Sequence, residues 1–334
     1  MSISRRSFVA TAVGSLTVFS RSLRAAEFDF IQYHNQPASS SLHIRLAEMW
    51  ETIGKETNGR VAARVYPMNN GIAGSDPAAL KALMAGEIQF FTLMGGILGT
   101  VVPVAEVQQV PFAWRTAPDA HRAIDGPLGA YVLSEMAAKG IHGFAVGGFD
   151  NGMRQITLAN RPVVTPADLK GIRMRVPAGE MVADTFRSLG AEPIVINSAD
   201  IHASLKSNTV DAQENPLALV ENFKLYEVVR YVSMTNHMWS GFNQMAHQPT
   251  WQKLPADIRT VIDRNVTKYV KLQRDDQERA NSRLRAELVK RGLVFNDVDP
   301  APFRAQLAGF YAKWKDRLGT RCWSLLEQST GRLA

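Results

Sequence analysis

The chain has 334 residues, 46% hydrophobic and 21% charged, a globular composition too long for one core and about right for two lobes. No apolar run of about eighteen residues follows the N-terminus, which excludes a transmembrane helix there, and the single cysteine, Cys322, excludes an internal disulfide. The net charge of +7 owes more than half its size to four arginines in the first 26 residues; without them it is +3, and no Lys/Arg run is interleaved with aromatics, so nucleic acid is not an expected partner.

Residues 1–26 read as a twin-arginine signal peptide. Ser4-Arg5-Arg6-Ser7-Phe8-Val9 is followed by a mildly apolar run from Val9 to Phe19. The expected cut lies near Ala26, with Arg24 where a small residue is preferred. Export by the twin-arginine route to the periplasm is the localisation this implies.

Phe28 to Tyr33 alternates apolar and polar residues and predicts a strand. Ser39 to Ser41 offer caps for a helix whose Leu42, Leu46, Met49, Trp50 and Ile53 recur at helical spacing. Arg60 to Tyr66 predicts a second strand, Asp76-Pro77 opens a short helix to Gly86, and Ile88 to Leu93 predicts a third strand. One helix is expected over Pro118 to Lys139, then a strand from Ile141 to Val146. Arg173 to Val176, Glu192 to Ile196 and Tyr231 to Thr235 predict strands; Glu180 to Leu189 and Ala199 to Ser207 predict helices. A long helix starts after Pro255, runs to Lys290 and stops at Gly292, long enough to span two lobes. The alternating order defines an α/β fold with parallel strands and crossover helices.

Ligands of such sheets bind at the carboxyl ends of strands. The loops there are His34–Pro37, Met68–Gly74, Gly95–Gly96, Gly147–Arg154, Val176–Gly179, Asn197–Asp200 and Gln213–Pro216. Arg154 and Arg175 both lie at predicted strand ends on the same side of a second lobe. An arginine in a strand is commonly an exposed side chain or an ion-pair partner, but at this position its planar fork suits a carboxylate. The polar block Asp211-Ala-Gln-Glu-Asn-Pro216 either ties a chain crossover or presents a ligand contact. No nucleophile elbow, zinc-protease motif, dinucleotide fingerprint or phosphate loop occurs, and no cofactor or metal is expected. His34 and His202 fall near ligand loops, although most of the seven histidines suit structural or surface roles.

Three motifs, N-G-M-R-Q at 151–155, K-G-I-R-M-R-V-P at 170–177 and V-D-A-Q-E-N-P at 210–216, occur in an order and spacing that resembles the solute-binding proteins of TRAP transporters, the DctP family. The likeness runs from Phe28 through the long late helix. It implies a two-lobed periplasmic-binding-protein-like fold with a central ligand cleft, crossover strands and a lobe-spanning helix. Lobe I would take residues 27–151 and 241–280, and lobe II residues 152–240 and 281–334. It further implies a monomeric, non-enzymatic carrier. The carrier would capture a small carboxylate and deliver it to TRAP membrane subunits driven by a sodium gradient. On that likeness Arg175 is the carboxylate anchor, Arg154 a second arginine contact and Asn215 a ligand contact, while Asp211, Gln213 and Glu214 tie the crossover.

The sequence departs from the family where many members carry aromatics. Ser198 and His202 stand there instead, which implies a pocket of different shape or polarity. His34, Asn35 and Trp239 complete the expected contacts. The rival reading is an exported α/β enzyme acting on an acidic small molecule. It needs a base in the cleft, for which His202, His34 and Asp150 are the candidates.

Overall fold

The computed structural model describes residues 25–333; the signal segment and its predicted cut lie outside or at the edge of that range. Its strands are β1 (Phe28–His34), β2 (Val61–Tyr66), β3 (Phe90–Met94), β4 (Ile141–Met153), β5 (Gln155–Leu158), β6 (Arg173–Val176), β7 (Glu192–Val195), β8 (Ala212–Asn215), β9 (Tyr231–Met234), β10 (Trp239–His247) and β11 (Val294–Asp297).

They form two sheets. The first has the order β2-β1-β3-β10-β4 and the second β11-β9-β5-β8-β6-β7. β1 runs parallel to β2 and β3, as the β-α-β-α-β pattern requires, and β10 inserts antiparallel between β3 and β4. In the second sheet β6 is parallel to β7 and β8, and β5 is antiparallel to β8 and β9.

The helix Ser41–Glu56 forms where the periodicity places it. The Ser40 hydroxyl accepts from the His43 amide at 3.2 Å, and Leu42, Leu46, Met49, Trp50 and Ile53 are buried. Each such side chain contributes about 1.5–3 kcal/mol on burial. That face packs on the first sheet and against the long helix Ala256–Lys290.

Four differences from the sequence expectation have a clear physical reason or bear on the site. β4 continues seven residues past Val146, through a glycine-rich stretch that resembles a loop, because β10 and the long helix cover it. β10 itself was not predicted. β8 is a strand although its sequence, Ala-Gln-Glu-Asn, is polar; all four residues are buried and hydrogen-bonded. The helix expected over 118–139 is two, Ala117–Ile124 and Pro127–Ala138, because Pro127 cannot continue the first.

Three connections join the sheets: β4 into β5 through Arg154, β9 into β10 through residues 235–238, and the long helix into β11. The long helix has 35 residues, about 52 Å at 1.5 Å per residue. It touches Ser41–Glu56 and β4 on one side and Leu217–Asn222 and β11 on the other. The terminal helix Ala308–Thr330 packs chiefly on Pro103–Gln109 and Pro127–Ala138, and also on Glu180–Ser188. Within residues 281–334, β11 pairs with β9 of the second sheet, while the terminal helix has neighbours among both residues 103–138 and Glu180–Ser188.

Candidate functional site

Between the two sheets, at the start of the second, three arginines have three different environments. Arg173 faces outward and pairs with Asp211, Nη2 to Oδ1 at 2.6 Å and Nε to Oδ2 at 3.0 Å. Arg154 sits on the β4–β5 crossover, its amide donating to the Met238 carbonyl at 2.8 Å. It is buried, and its Nε and Nη2 donate to the carboxylate of Glu214 on β8. Nη2 also reaches Asn215 Oδ1 at 3.1 Å, and Nη1 donates to Ser240 Oγ at 3.1 Å.

Glu214 completes the network. His237 Nε2 lies 3.2 Å from its Oε2. Burial pushes the Glu214 carboxyl up, but the Arg154 guanidinium and the His237 bond outweigh this and hold it at about 2. Arg154 is thus a charge already neutralised by the protein.

Arg175, on β6, is not. It is 2% exposed, and no acid among the described residues forms an ion pair with it. Its Nε and Nη2 both donate to one backbone carbonyl, that of Ile196, at 2.9 and 2.6 Å. Nη1 donates to nothing among the described residues, and Arg175 lines the cavity between the sheets with the Nη1–Nη2 end of its fork. Burial pushes this guanidinium down to about 9, still cationic at neutral pH.

The opposite wall comes from the first sheet. Asp76, at the start of the helix Ser75–Ala85, is buried and accepts from Asn35 Nδ2 at 2.9 Å and Asn69 Nδ2 at 2.6 Å. Burial pushes its carboxyl up despite those donors. Gln36 donates to Asn35 Oδ1 at 3.0 Å and leaves its own Oε1 buried without a partner. Asn69 is aimed inward by three successive left-handed residues, Met68, Asn69 and Asn70, with φ of 51–52°, a conformation that costs about 1–2 kcal/mol per non-glycine residue.

The cavity brings together Asn35, Arg154, Arg175, Ser198 and Asn215 from the expected residues, with Gln36, Asp76, Asn151 and Phe242. Its volume is about 30 Å³, room for a water and far below the roughly 300 Å³ at which small-molecule sites begin. The walls meet tightly. At Gly179, with φ of +151°, a Cβ would lie 3.0 Å from the Gly96 carbonyl oxygen across the gap. A ligand enters only if the lobes part.

Three expected residues lie elsewhere. His34 is fully buried behind the wall, its Nε2 2.9 Å from His43 Nδ1, and burial and that neighbour push it down to about 3. His202 lies on the helix Ile201–Lys206 with its Nε2 3.1 Å from Glu227 Oε2, outside the cavity. Trp239 is fully buried and donates to Asp150 Oδ1 at 2.8 Å. Sequence reasoning missed Asp76, treated there only as a helix opener, although an acid just after the loop Met68–Gly74 at a strand's carboxyl end was the available signal. Phe242 was missed with its strand.

A two-lobed α/β fold closing on a buried arginine without a counter-ion defines a binding protein for an anion. The chain matches the family of bacterial extracellular solute-binding proteins, family 7 (DctP), over residues 33–317, and it belongs to that family. It is 26% identical over 298 residues to the 2,3-diketo-L-gulonate-binding periplasmic protein YiaO of Escherichia coli, covering 88% of each chain. It is 30% identical over 264 residues to protein y4mM of Sinorhizobium fredii, covering 78% of this chain but only 48% of that relative. A TRAP periplasmic solute-binding protein from Roseobacter denitrificans, solved with bound β-D-glucuronate, superposes with a TM-score of 0.86 at 25% identity, over 91% of this chain and 99% of that one.

Proposed function

We propose that this protein is the extracytoplasmic receptor of a TRAP-type transporter, binding a small hydroxylated carboxylate and passing it to the membrane subunits. The observation that carries this is Arg175, a buried guanidinium whose free end faces an interlobe cavity with no acid paired to it. A buried cation is costly unless an anion reaches it.

One arginine contact is not sufficient. A charge-assisted hydrogen bond contributes about 1.5–3 kcal/mol, whereas micromolar binding needs about 8 kcal/mol. The rest comes from the facing lobe, where Gln36 Oε1 and the Asp76 carboxyl accept hydrogen bonds from hydroxyl groups. Contacts to both walls exist only when the lobes are closed, so the ligand shifts the protein towards closure. The ligands of these two relatives, 2,3-diketo-L-gulonate for YiaO and β-D-glucuronate for the Roseobacter protein, are sugar-derived acids and fit this division of labour.

A carrier reading is favoured over an enzyme. His34 and His202 lie outside the cleft, and Asp150 Oδ1 is committed to Trp239 and to the Gly152 amide. The test is native mass spectrometry of the purified protein, followed by incubation with a pool of sugar acids and dicarboxylates. The expected result is one acid bound and recovered unchanged; a chemically altered acid, or no acid retained from the pool, overturns the proposal.

A further inference from the structure

A second cavity, of about 670 Å³, lies on the opposite face of the lobe crossover. Alternation along the chain separates the two. Arg154 points into the cleft, while Met153 and Gln155 on either side point to the rear. Every connection between the sheets contributes to the rear wall: Met153 and Gln155 from the first, Met234 and Asn236 from the second, and Lys271 to Asn281 from the long helix. Leu217 and His121 add a side chain from each lobe. The crossover strands thus stand between two cavities. A rotation that parts the lobes at the cleft brings the rear walls together, and closure of the cleft opens the rear.

The floor of the rear cavity is anionic. Asp150 is 4% exposed, and its Oδ1 is saturated by Trp239 Nε1 at 2.8 Å and the Gly152 amide at 2.7 Å. Gly152 has φ of +91°, the turn that brings its amide back to Asp150. Among the described residues Asp150 Oδ2 makes no hydrogen bond; the ring nitrogen His121 Nε2 lies 3.5 Å from it, itself buried without a hydrogen-bond partner. At the rim Asp275 and Glu278 form no ion pair among the described residues, and neither do Arg115 and Lys271, whereas Arg274 is held by Asp125 at 2.5 and 2.9 Å. With Arg274 neutralised, three acids face two strong bases, and the acid lies deepest. Met153, Met234, Leu217 and Pro118 supply apolar surface beside it.

We propose that this rear cavity is a second ligand site, for a small organic cation with an apolar body, and that its occupancy favours the closed arrangement of the lobes. An ammonium group reaches Asp150 Oδ2, and its hydrocarbon part covers the methionines. Because the cavity is widest when the cleft is closed, a ligand there binds the closed state better, and by linkage each site raises the other's affinity. The proposal goes beyond the cleft reading and does not depend on it.

The probe is phenethylammonium, with 2-phenylethanol as its neutral counterpart and 3-phenylpropionate as its charge-reversed one. All are titrated into the full mature protein carrying Arg175→Lys, which weakens the cleft's carboxylate contact. The readout is the Trp239 indole N–H signal in an NMR spectrum, assigned by its loss in Trp239→Phe. The expected result is a saturable shift with phenethylammonium, weakened at least about tenfold with either control, one tenfold step being about 1.4 kcal/mol. Asp150→Asn weakens the cation at least tenfold. Because Asp150 also supports the Gly152 turn, Asp275→Asn with Glu278→Gln on the exposed helix face is the second variant, expected to weaken it severalfold with the melting temperature unchanged. No saturable shift at millimolar probe, or equal binding of all three probes, overturns the site. Small-angle scattering of the wild type with saturating probe is expected to show a smaller radius of gyration; binding without compaction overturns the coupling.

Discussion

Arg154 and Glu214 form a two-pronged ion pair in which the side chains are 2% and 0% exposed, and this pair, not a ligand, is the counter-ion each requires. Removing one partner of such a pair leaves an unpaired buried charge, at a cost of about 3–5 kcal/mol. Glu214→Gln is therefore expected to lower stability by about that amount at pH 7, measured by urea unfolding. Glu214 also sets an acid limit. Its carboxyl is depressed from the usual 4.5 to about 2, so its stabilisation is present above pH 4.5 and is lost as pH falls through that window. Wild type is expected to lose its advantage over Glu214→Gln on acidification from pH 5 to pH 2; a constant gap would show that the pair does not titrate with unfolding.

Arg175 is the opposite case, a buried charge with no acid paired to it among the described residues. Arg175→Lys retains the charge but loses the planar fork, and at least about a tenfold loss of acid affinity is expected by calorimetry with the fold intact. Arg175→Met removes the desolvated charge altogether. It is expected to abolish acid binding and to raise the melting temperature of the ligand-free protein. A lower melting temperature for Arg175→Met would mean that the bonds to the Ile196 carbonyl outweigh the cost of burying the guanidinium.

His202 pairs with Glu227 on the surface of the second lobe. His202→Gln is therefore expected to leave acid affinity, ligand ranking and the pH curve of the dissociation constant unchanged within error. A changed ranking would place this residue in the pocket after all and would restore the weight of the family's aromatic position.

The signal segment carries its own test. Replacing Arg5 and Arg6 together by lysine is expected to leave the precursor in the cytoplasm, by fractionation and immunoblot. Normal accumulation outside the cytoplasm would assign export to the general secretion route.

The sequence alone determined the elements whose pattern is local. β1 and β2 alternate, the helix Ser41–Glu56 repeats at three and four, and the long helix keeps its period over ten turns. The family resemblance of its motifs grouped Arg154, Arg175 and Asn215, which line one cavity in the fold. Tertiary structure decided everything that depends on a distant partner. β8 reads as a polar loop, and is a buried strand only because Thr157 and Arg154, some sixty residues away, satisfy Gln213 and Glu214. Gln32, Thr92 and Gln244 likewise close a buried ring of hydrogen bonds across β1, β3 and β10, with no trace in hydrophobic periodicity. The two cleft arginines are indistinguishable as letters. Which one is neutralised and which is left without a paired acid depends on where Glu214 lies in space, since electrostatic compensation acts through distance and burial, and neither is a property of sequence neighbours.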